Sequence, residues 1–374
     1  MTVTPAEQIA PEDLGRRIIE INRAVRMGST TPAEWAERII RLMRAQPDIA
    51  EPISVHNVRP LQGGAGSSSG TLFFEASHRE GGRDVSHAYV LRFEPAELLF
   101  RRYDLDGQVR IQRGLGEAGV PVPRQCWEDL RGKYLEVPGY VMRRAKGEAA
   151  PAAWFAEGLF ADASPEGRGR LVRSYLATLA DIHAVDWRRW GLSFLLERAD
   201  GDGLTAREAN WYWDSIVWAG ETKAMARFAP LRDWLIDNQP PIARPVLCHG
   251  DTNFTNNLFD DGAVSAVLDW EMAFIGAPEA DLAYAINAMT ALTPDMPEGV
   301  PSPDEMVAEY ERLSGHKVRD LPYYKLFALF RVVLIYVLGA RAFPPDFQAF
   351  FAAYTEATIA RMNDQAGSLG APRA

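Results

Sequence analysis

The chain has 374 residues, of which 47% are hydrophobic and 24% are charged, and its formal net charge at pH 7 is −10. This composition is typical of a globular protein, and the length exceeds what one hydrophobic core usually covers, so we expect two lobes or domains. The excess of acidic residues argues against a nucleic-acid partner, because binding to a phosphate backbone requires a basic face.

The two cysteines, Cys126 and Cys248, lie far apart in the sequence. Their spacing suggests neither a disulfide framework nor a zinc site, so we expect free buried thiols in a reducing compartment. The amino terminus carries Glu7, Glu12 and Asp13 where a signal peptide would have a positive start and an apolar run. We therefore expect a cytoplasmic protein.

The most apolar carboxy-terminal stretch, residues 321–343, contains Lys325, Arg331 and Arg341. Charges at these positions interrupt a membrane span, so no membrane partner is expected. No internal repeat is evident.

Residues 1–50 are expected to form helices that carry no chemistry. Thr31 is followed by a proline and then by Glu34, the pattern of an N-cap, a first helical position and a capping box. Apolar residues recur after it at helical spacing. These helices would pack on a lobe or on a partner subunit, and self-association through them is left open.

Short strands predominate from residue 53 onward, in an amino-terminal lobe predicted over 51–147. Its elements alternate with turn signals and include one helix. The predicted strands are 53–58, 72–75, 88–93, 125–127 and 139–142, and the predicted helix is 104–115.

A loop rich in glycine and serine separates the first two of these strands. A dinucleotide-binding turn would lead into a helix and a Walker loop would carry a lysine after its glycines, whereas this loop leads into strand formers. The remaining interpretation is a glycine loop between two strands, the arrangement with which kinase-like enzymes cover phosphates. A flexible linker is the alternative interpretation of this segment. The loop contains Gly64, Gly66, Ser67, Ser68 and Ser69.

The composition shifts at residues 143–147, which we interpret as the crossover into a second lobe over 148–374. Beyond this point the chain follows a helical pattern almost throughout. The predicted helices are 171–183, 211–218, 231–236, 280–289, 304–313, 323–338 and 347–359.

The chemistry is predicted where a short apolar strand delivers His249 and Asp251 into a loop. Asn256 follows Asp251 by five residues, and a hairpin leads to a second strand that ends in Asp269. Phosphoryl transfer requires one carboxylate to orient the attacking hydroxyl and take its proton, and hard oxygen ligands to hold Mg²⁺ against nucleotide phosphates. Asp251, Asn256 and Asp269 supply that set.

Any one of these residues alone is better explained as a turn former, because Asp and Asn bond to their own backbone in turns. The combination of His-x-Asp, an asparagine five residues on, a hairpin and a strand ending in Asp matches the catalytic loop of kinases in four parts.

With these motifs in order, the chain resembles the aminoglycoside phosphotransferase-like family of small-molecule kinases, and within it a bacterial branch related to the kinase-like domain of some acyl-CoA dehydrogenases. The resemblance extends over 53–290 and is carried by His249-Gly-Asp251 with Asn256, by Leu-Asp-Trp-Glu at 268–271 and by the segment around Asp281. It implies an α+β, bilobal protein-kinase-like fold. A small antiparallel β lobe would precede a larger, mainly helical lobe, with an N-terminal helical extension over 1–50.

Carried over by position, the resemblance implies ATP- and Mg²⁺-dependent transfer of phosphate to a hydroxyl of a small molecule. Asp251 would be the catalytic base, and Asn256 and Asp269 would hold Mg²⁺. His249 and Asp281 would brace the catalytic loop without taking part in the reaction.

The resemblance also implies where the nucleotide lies. Arg92, on the third predicted strand, would contact the α- and β-phosphates, and the glycine loop would cover them. Backbone groups of Arg143 and Ala145, just past Met142, would receive adenine.

The chain departs from the protein-kinase pattern at the phosphate-binding cation. Arg92 stands where protein kinases have a lysine, and the helix residue expected to be its glutamate partner is Gln108. An Arg–Gln pair keeps a hydrogen bond but loses the charge pairing, so Asp104, one helical turn earlier, is the alternative partner.

The acceptor is left open by the sequence. An aminoglycoside is a polycation and requires an acidic pocket, whereas segment 205–240 has near-balanced charge and is rich in tryptophan. If some of these side chains line the pocket, an acyl-bearing alcohol such as a hydroxyacyl-CoA fits better than a sugar antibiotic; core packing is the alternative. A catalytically inactive nucleotide-binding or scaffold module is the second interpretation of the chain. The tryptophans are Trp211, Trp213, Trp218 and Trp234.

Overall fold

The computed structural model describes residues 30–60, 70–151, 154–292 and 296–374. Its first described helix, α1 (Pro32–Arg44), begins at the predicted capping box. The Thr31 hydroxyl accepts a hydrogen bond from the backbone N–H of Glu34 (3.3 Å), and the Glu34 carboxylate accepts one from the backbone N–H of Thr31 (2.7 Å). These bonds satisfy donors that a helix start leaves free. The apolar face of α1, including Trp35, packs on the sheet of the amino-terminal lobe, one of the two locations expected.

Five antiparallel strands form that sheet, in the spatial order β1, β2, β3, β5, β4. The second and third strands are longer than predicted, because their pairing continues to Glu80 opposite Arg83 across a Gly81-Gly82 turn. Both glycines have positive φ (56° and 79°), as the tight turns that suit twisted strands require. The strands are β1 (Ile49–Pro60), β2 (Gly70–Glu80), β3 (Arg83–Phe93), β4 (Gln125–Asp129) and β5 (Gly139–Arg143).

The helix of this lobe, α2 (Leu105–Glu117), begins at Asp104, whose carboxylate accepts a hydrogen bond from an N–H in the first turn (2.8 Å). The buried face of α2 is polar at two positions. The Tyr140 hydroxyl of β5 donates to Oε1 of Gln108 (3.4 Å) and accepts from Nε2 of Gln112 (2.9 Å). These bonds attach the helix to the sheet.

The carboxy-terminal lobe is mainly helical, and each predicted helix is present and longer than predicted. The helices are α3 (Leu159–Asp162), α4 (Pro165–Ala184), α5 (Leu204–Trp218), α6 (Thr222–Asp237), α7 (Pro278–Leu292), α8 (Pro303–Ser314), α9 (Leu321–Ala340) and α10 (Pro345–Ser368). Apolar residues of α5, α6, α9 and α10 form one core, those of α4 and α8 form another, and α7 contributes to both. The domain boundaries near residues 50 and 147 stay predictions.

Two short antiparallel ladders in this lobe carry the motif residues. β7 (Val246–Cys248) pairs with β10 (Phe274–Gly276), and β8 (Asn257–Asp260) lies between β6 (Glu148–Ala149) and β9 (Ala263–Val267). Because the end of β7 lies opposite the start of β10, the loop that follows β7 runs beside the loop that precedes β10. This places the two predicted halves of the site next to each other.

Among the described residues, α9 is the helix that is long and apolar enough to cross a bilayer by length and composition. It packs against α5, α7 and α10, and a core helix passes the same test of length and composition. Arg331 lies at its centre and is fully buried.

Candidate active site

Loop A, residues 249–256, follows β7 and is held by the carboxylate of Asp281 in the first turn of α7. Asp281 is fully buried; its Oδ2 accepts from the backbone N–H of His249 (2.7 Å) and its Oδ1 from that of Gly250 (3.0 Å). Nε2 of His183 lies 3.2 Å from the same Oδ2. Burial alone would raise the pKa of Asp281, but the hydrogen bond and charge of His183 and the hydrogen bond from the N–H of Gly250 lower it below its ordinary value. The charged carboxylate therefore fixes the start of loop A.

His249 ties loop A to loop B, residues 268–273, which precedes β10. Its Nε2 donates to the carbonyl of Leu268 (2.7 Å), and its Nδ1 accepts from the N–H of Asp251 (3.2 Å). These bonds specify the tautomer with its proton on Nε2. The ring also packs on Trp270, with centroids 4.5 Å apart. Both ring nitrogens are thus engaged in holding the two loops together.

Asp251 is partly exposed and lies in loop A beside Asn256. Its Oδ2 accepts a hydrogen bond from Nδ2 of Asn256 (2.8 Å), and its backbone carbonyl accepts from the same amide (3.1 Å). Burial raises the pKa of Asp251 above its ordinary value, the charge of Asp269 adds to the rise, and hydrogen bonds from Asn256 and Tyr284 oppose it. The net rise makes this carboxylate a better proton acceptor than an ordinary surface aspartate.

Asp269 lies in loop B with left-handed backbone angles (φ 65°, ψ 66°), a conformation in which Asp is enriched among non-glycine residues. One of its carboxylate oxygens accepts a hydrogen bond from Nη2 of Arg92 on β3 at 2.9 Å. Only 4% of the Arg92 side chain and 10% of the Asp269 side chain are exposed. This buried ion pair joins the amino-terminal lobe to loop B.

Neither partner that the sequence offered for Arg92 forms its ion pair. Asp104 uses its carboxylate to cap α2, and Gln108 accepts from Tyr140. Asp269 prevails over Gln108 because it brings a full charge to a buried guanidinium, which a neutral amide cannot. Nε of Arg92 and Nε2 of Gln108 are buried donors that find no hydrogen-bond acceptor in the described part of the chain.

The predicted adenine contacts lie at the end of β5 and in the crossover. The N–H of Arg143 donates to the carbonyl of Arg124 (2.8 Å), so this group is already engaged. Met142 is buried, whereas Arg143 and Ala145 line an open hollow of about 660 Å³ beside the crossover. The adenine assignment stays a prediction, which now concerns the carbonyl of Arg143 and the backbone of Ala145.

The residues predicted to line the phosphate loop lie outside the described residues: Gly64, Gly66, Ser67, Ser68 and Ser69. The strands on either side of them pair antiparallel, with Pro60 opposite Leu72. The two flanking strands are therefore confirmed as an antiparallel pair, and the conformation and role of residues 61–69 stay predictions.

Three residues near the site were not predicted from the sequence. Glu271 stands two positions after Asp269, and its charge raises the pKa of the arginine that pairs with Asp269; the Asp-x-Glu spacing was the available signal. Tyr284 bonds to Asp251, and no sequence pattern marks it. Arg331 of α9 donates to the backbone of loop A, and its signal was a charge within an apolar helix.

Comparisons with known proteins agree with this geometry. The family model described as "Phosphotransferase enzyme family" matches residues 57–323. The chain is 33% identical over 243 residues to acyl-CoA dehydrogenase family member 11 of Gallus gallus, covering 63% of this chain and 28% of that protein. The chain therefore spans less than a third of the length of this curated relative.

Solved structures show the same fold. A Ralstonia eutropha protein assigned to the aminoglycoside phosphotransferases superposes with a TM-score of 0.60 at 21% identity, covering 82% of this chain and 88% of that one. Aminoglycoside phosphotransferase APH(4)-Ia, solved in a ternary complex with AMP-PNP and hygromycin B, gives a TM-score of 0.52 at 18% identity, covering 83% and 94%. The predicted α+β, bilobal protein-kinase-like fold is confirmed.

Proposed function

Since this chain belongs to the phosphotransferase enzyme family, we propose that it is a kinase that transfers the γ-phosphate of ATP, bound with Mg²⁺, to a hydroxyl group of a small molecule. The observation that carries the proposal is the convergence of three oxygen-bearing side chains. Asp251 and Asn256 are hydrogen-bonded to each other in loop A, and Asp269 is close enough to raise the pKa of Asp251. One carboxylate for the hydroxyl and two oxygen ligands for a metal are the parts that phosphoryl transfer needs.

The donor set fits a magnesium ion and a phosphate chain. Because Nδ2 of Asn256 is bonded to Asp251, its Oδ1 is the atom left to bind a cation, and Asp269 supplies a carboxylate. Oxygen atoms of this kind are the ligands that Mg²⁺ prefers. The buried donors Nε of Arg92 and Nε2 of Gln108 suit phosphate oxygens. When bound, Mg²⁺ would offset the negative charge that develops on the phosphates.

Asp251 would accept the proton of the acceptor hydroxyl as that oxygen bonds to the γ-phosphorus of ATP, while the bond from this phosphorus to the β,γ-bridging oxygen breaks and ADP leaves. Its raised pKa favours proton acceptance, and the hydrogen bonds from Asn256 and Tyr284 orient the carboxylate. Arg92 is already bonded to Asp269, so it would have to share its guanidinium between this carboxylate and the phosphates. Five N–H donors allow such sharing.

For the acceptor we propose an anionic, acyl-bearing alcohol, such as a hydroxy acid or its thioester. Tyr336 of α9 lies near Asp251, since burial and the charge of Asp251 both raise the pKa of Tyr336, and its ring packs on Tyr354 of α10 with centroids 5.5 Å apart. Just past the end of α9 the guanidinium of Arg341 lies over the exposed ring of Trp218, 5.2 Å from its centroid. Aromatic faces and cations favour an acyl group with a negative charge over a polycationic aminoglycoside.

The test is a screen of purified protein with ATP and Mg²⁺. Thermal shift would first compare hydroxy acids, their coenzyme A thioesters, aminoglycosides and macrolides, and ADP release would then be measured for each compound that stabilises the protein. We expect ADP release with a hydroxy acid or thioester, and its loss in Asp251→Asn. A response to aminoglycosides alone would refute the proposed acceptor. Slow ATP hydrolysis that Asp251→Asn does not change would favour the catalytically inactive alternative.

A further inference from the structure

A cluster of three buried charges lies behind the two loops, formed by Arg198, Glu208 and Arg331. Nη1 of Arg198 lies 3.3 Å from Oε2 of Glu208, and Nη2 of Arg331 lies 3.6 Å from Oε1 of the same carboxylate. The exposed fractions of the three side chains are 13%, 2% and 0%. Two positive charges thus share one negative charge inside the protein.

The two arginines of this triad, Arg198 and Arg331, which pair with Glu208, also donate hydrogen bonds to the two loops. Nη2 of Arg331 donates to the backbone carbonyl of Gly250, immediately before the predicted base. Nη1 of Arg198 donates to the carbonyls of Met272 (3.2 Å) and Ala273, at the end of loop B. Glu208 on α5 therefore connects, through one arginine on each side, loop A with loop B.

The two loops are also in direct backbone contact where the triad binds them. Gly250 has a φ of +87°, and a Cβ at this position would lie 2.1 Å from the carbonyl oxygen of Met272. A shift of either loop therefore displaces the other. The bonds from Arg198 and Arg331 lie on both sides of this contact and limit such a shift.

Stability alone does not account for the triad. A buried ion pair is often replaceable by apolar residues of similar size without loss of stability, because desolvation offsets the Coulomb attraction. Here the guanidinium of Arg331 is surrounded by the rings of Tyr212, Phe274, Tyr284 and Phe327, with centroids 5.1 to 5.6 Å away. Its Nε and Nη1 find no hydrogen-bond partner among the described residues. An apolar side chain would suit this packing, so the bond to loop A is what distinguishes an arginine.

We propose that Arg198, Glu208 and Arg331 are positioning residues that hold Asp251 at a fixed distance from Asp269. This inference rests on the proposed kinase function, in which one loop activates the acceptor and the other holds the metal. None of the three side chains needs to touch a substrate. The triad acts on the chemical step, because a displacement of about 1 Å between reacting groups can cost roughly 10²-fold in rate.

The test compares Arg331→Met and Arg331→Lys with a control on the same helix, Leu326→Ala, which truncates another fully buried side chain. All measurements use the full chain at a temperature where circular dichroism shows each variant folded. We expect Arg331→Met to lower kcat by roughly 10²-fold with the Kd for ATP·Mg²⁺ unchanged. Arg331→Lys should recover part of that loss, because lysine keeps a donor for Gly250 and a charge for Glu208. Leu326→Ala should keep the wild-type kcat.

Hydrogen exchange gives a readout that does not depend on activity. In Arg331→Met the backbone amides at 249–251 and 270–273 should exchange faster than in the wild type, and in Leu326→Ala they should not. Unchanged exchange in both loops, or equal losses of kcat in Arg331→Met and Leu326→Ala, would overturn the inference. A wild-type protein that phosphorylates no acceptor would refute the proposed function, and hydrogen exchange would still decide whether the triad couples the loops.

Discussion

Asp281→Asn should destabilise the protein and disorder the start of loop A. Oδ2 of Asp281 accepts from His249 N–H (2.7 Å) and lies 3.2 Å from His183 Nε2, whereas Oδ1 accepts from Gly250 N–H (3.0 Å) and from no other donor in the described part of the chain. An asparagine loses least by keeping its oxygen at the Oδ2 position. The Gly250 N–H then faces an amide NH₂ group, and the two remaining bonds lose the charge of their acceptor.

The loss of free energy follows from these contacts. An orphaned buried N–H costs about 1–3 kcal/mol, and each remaining bond is weakened by roughly 1 kcal/mol when its acceptor becomes neutral. We therefore expect the free energy of unfolding to fall by about 3–5 kcal/mol, the range found when one partner of a buried charge pair is removed. Urea denaturation at pH 7 measures it. Asp304→Asn is the matched control, because Asp304 is an exposed aspartate in the first turn of α8.

The difference in unfolding free energy between the wild type and Asp281→Asn should also depend on pH, and the direction follows from the pKa of Asp281. The pKa of Asp281 in the folded protein lies below its ordinary value of 3.8, so its stabilising effect is complete above that value and fades as the pH falls through the lower, folded pKa. The difference in unfolding free energy between the wild type and Asp281→Asn should therefore be constant from pH 7 to about 5 and should decrease only in stronger acid. A difference in unfolding free energy below about 1 kcal/mol at pH 7, or one that increases on acidification, would refute the stabilising role of the charged Asp281 carboxylate.

Three further predictions concern the chemical step and the binding of Mg²⁺ and nucleotide. Asp251→Ala should lower kcat by roughly 10²- to 10⁴-fold without weakening nucleotide binding. Asp269→Ala should lower kcat and also weaken nucleotide binding, and high Mg²⁺ should partly rescue it. Steady-state kinetics across a Mg²⁺ titration separates the two variants. Asn256→Ala should behave like Asp269→Ala, whereas Asn257→Ala should cost about 1 kcal/mol of stability and little activity, because the amide of Asn257 donates to the backbone carbonyl of Asn253. The reverse order in the same titration would contradict the metal assignment. Arg92→Ala should raise the Kd for ATP more than Arg92→Lys does, as calorimetry would show, and equal values would remove Arg92 from the phosphate site.

The parts of the site that the sequence predicted are those fixed by short-range geometry. Asn256 reaches Asp251 because a five-residue loop with a single turn of 3₁₀ helix brings its amide back to 2.8 Å from the carboxylate. The hairpin between β8 and β9 likewise follows from an Asp-Gly turn in which both residues have positive φ (49° and 76°). Residue type and spacing are sufficient in such cases, since few backbone paths satisfy them.

The pairing of Arg92 could not be predicted in the same way. Its partner, Asp269, is 177 residues away, and the sequence suggests only local candidates such as Asp104 and Gln108. Which carboxylate neutralises a buried guanidinium depends on how the lobes meet. The charge within α9 was similarly visible but was interpreted only as a break in a membrane span, although a buried arginine implies buried acceptors.

The tryptophan-rich segment shows what helical periodicity resolves and what it does not. Trp211 and Trp218 lie seven residues apart on one face of α5, yet Trp211 is 7% exposed and Trp218 is 45% exposed. Trp211 packs against Phe100, with ring centroids 4.6 Å apart, whereas Trp218 lies at the last turn, where its ring is covered by Arg341. Periodicity gives the face of a helix but not the depth at which each turn is buried. The core-packing interpretation therefore holds for Trp211, whereas an acceptor contact by the exposed Trp218 stays a prediction, which a comparison of substrate preference in Trp218→Ala and the wild type would test.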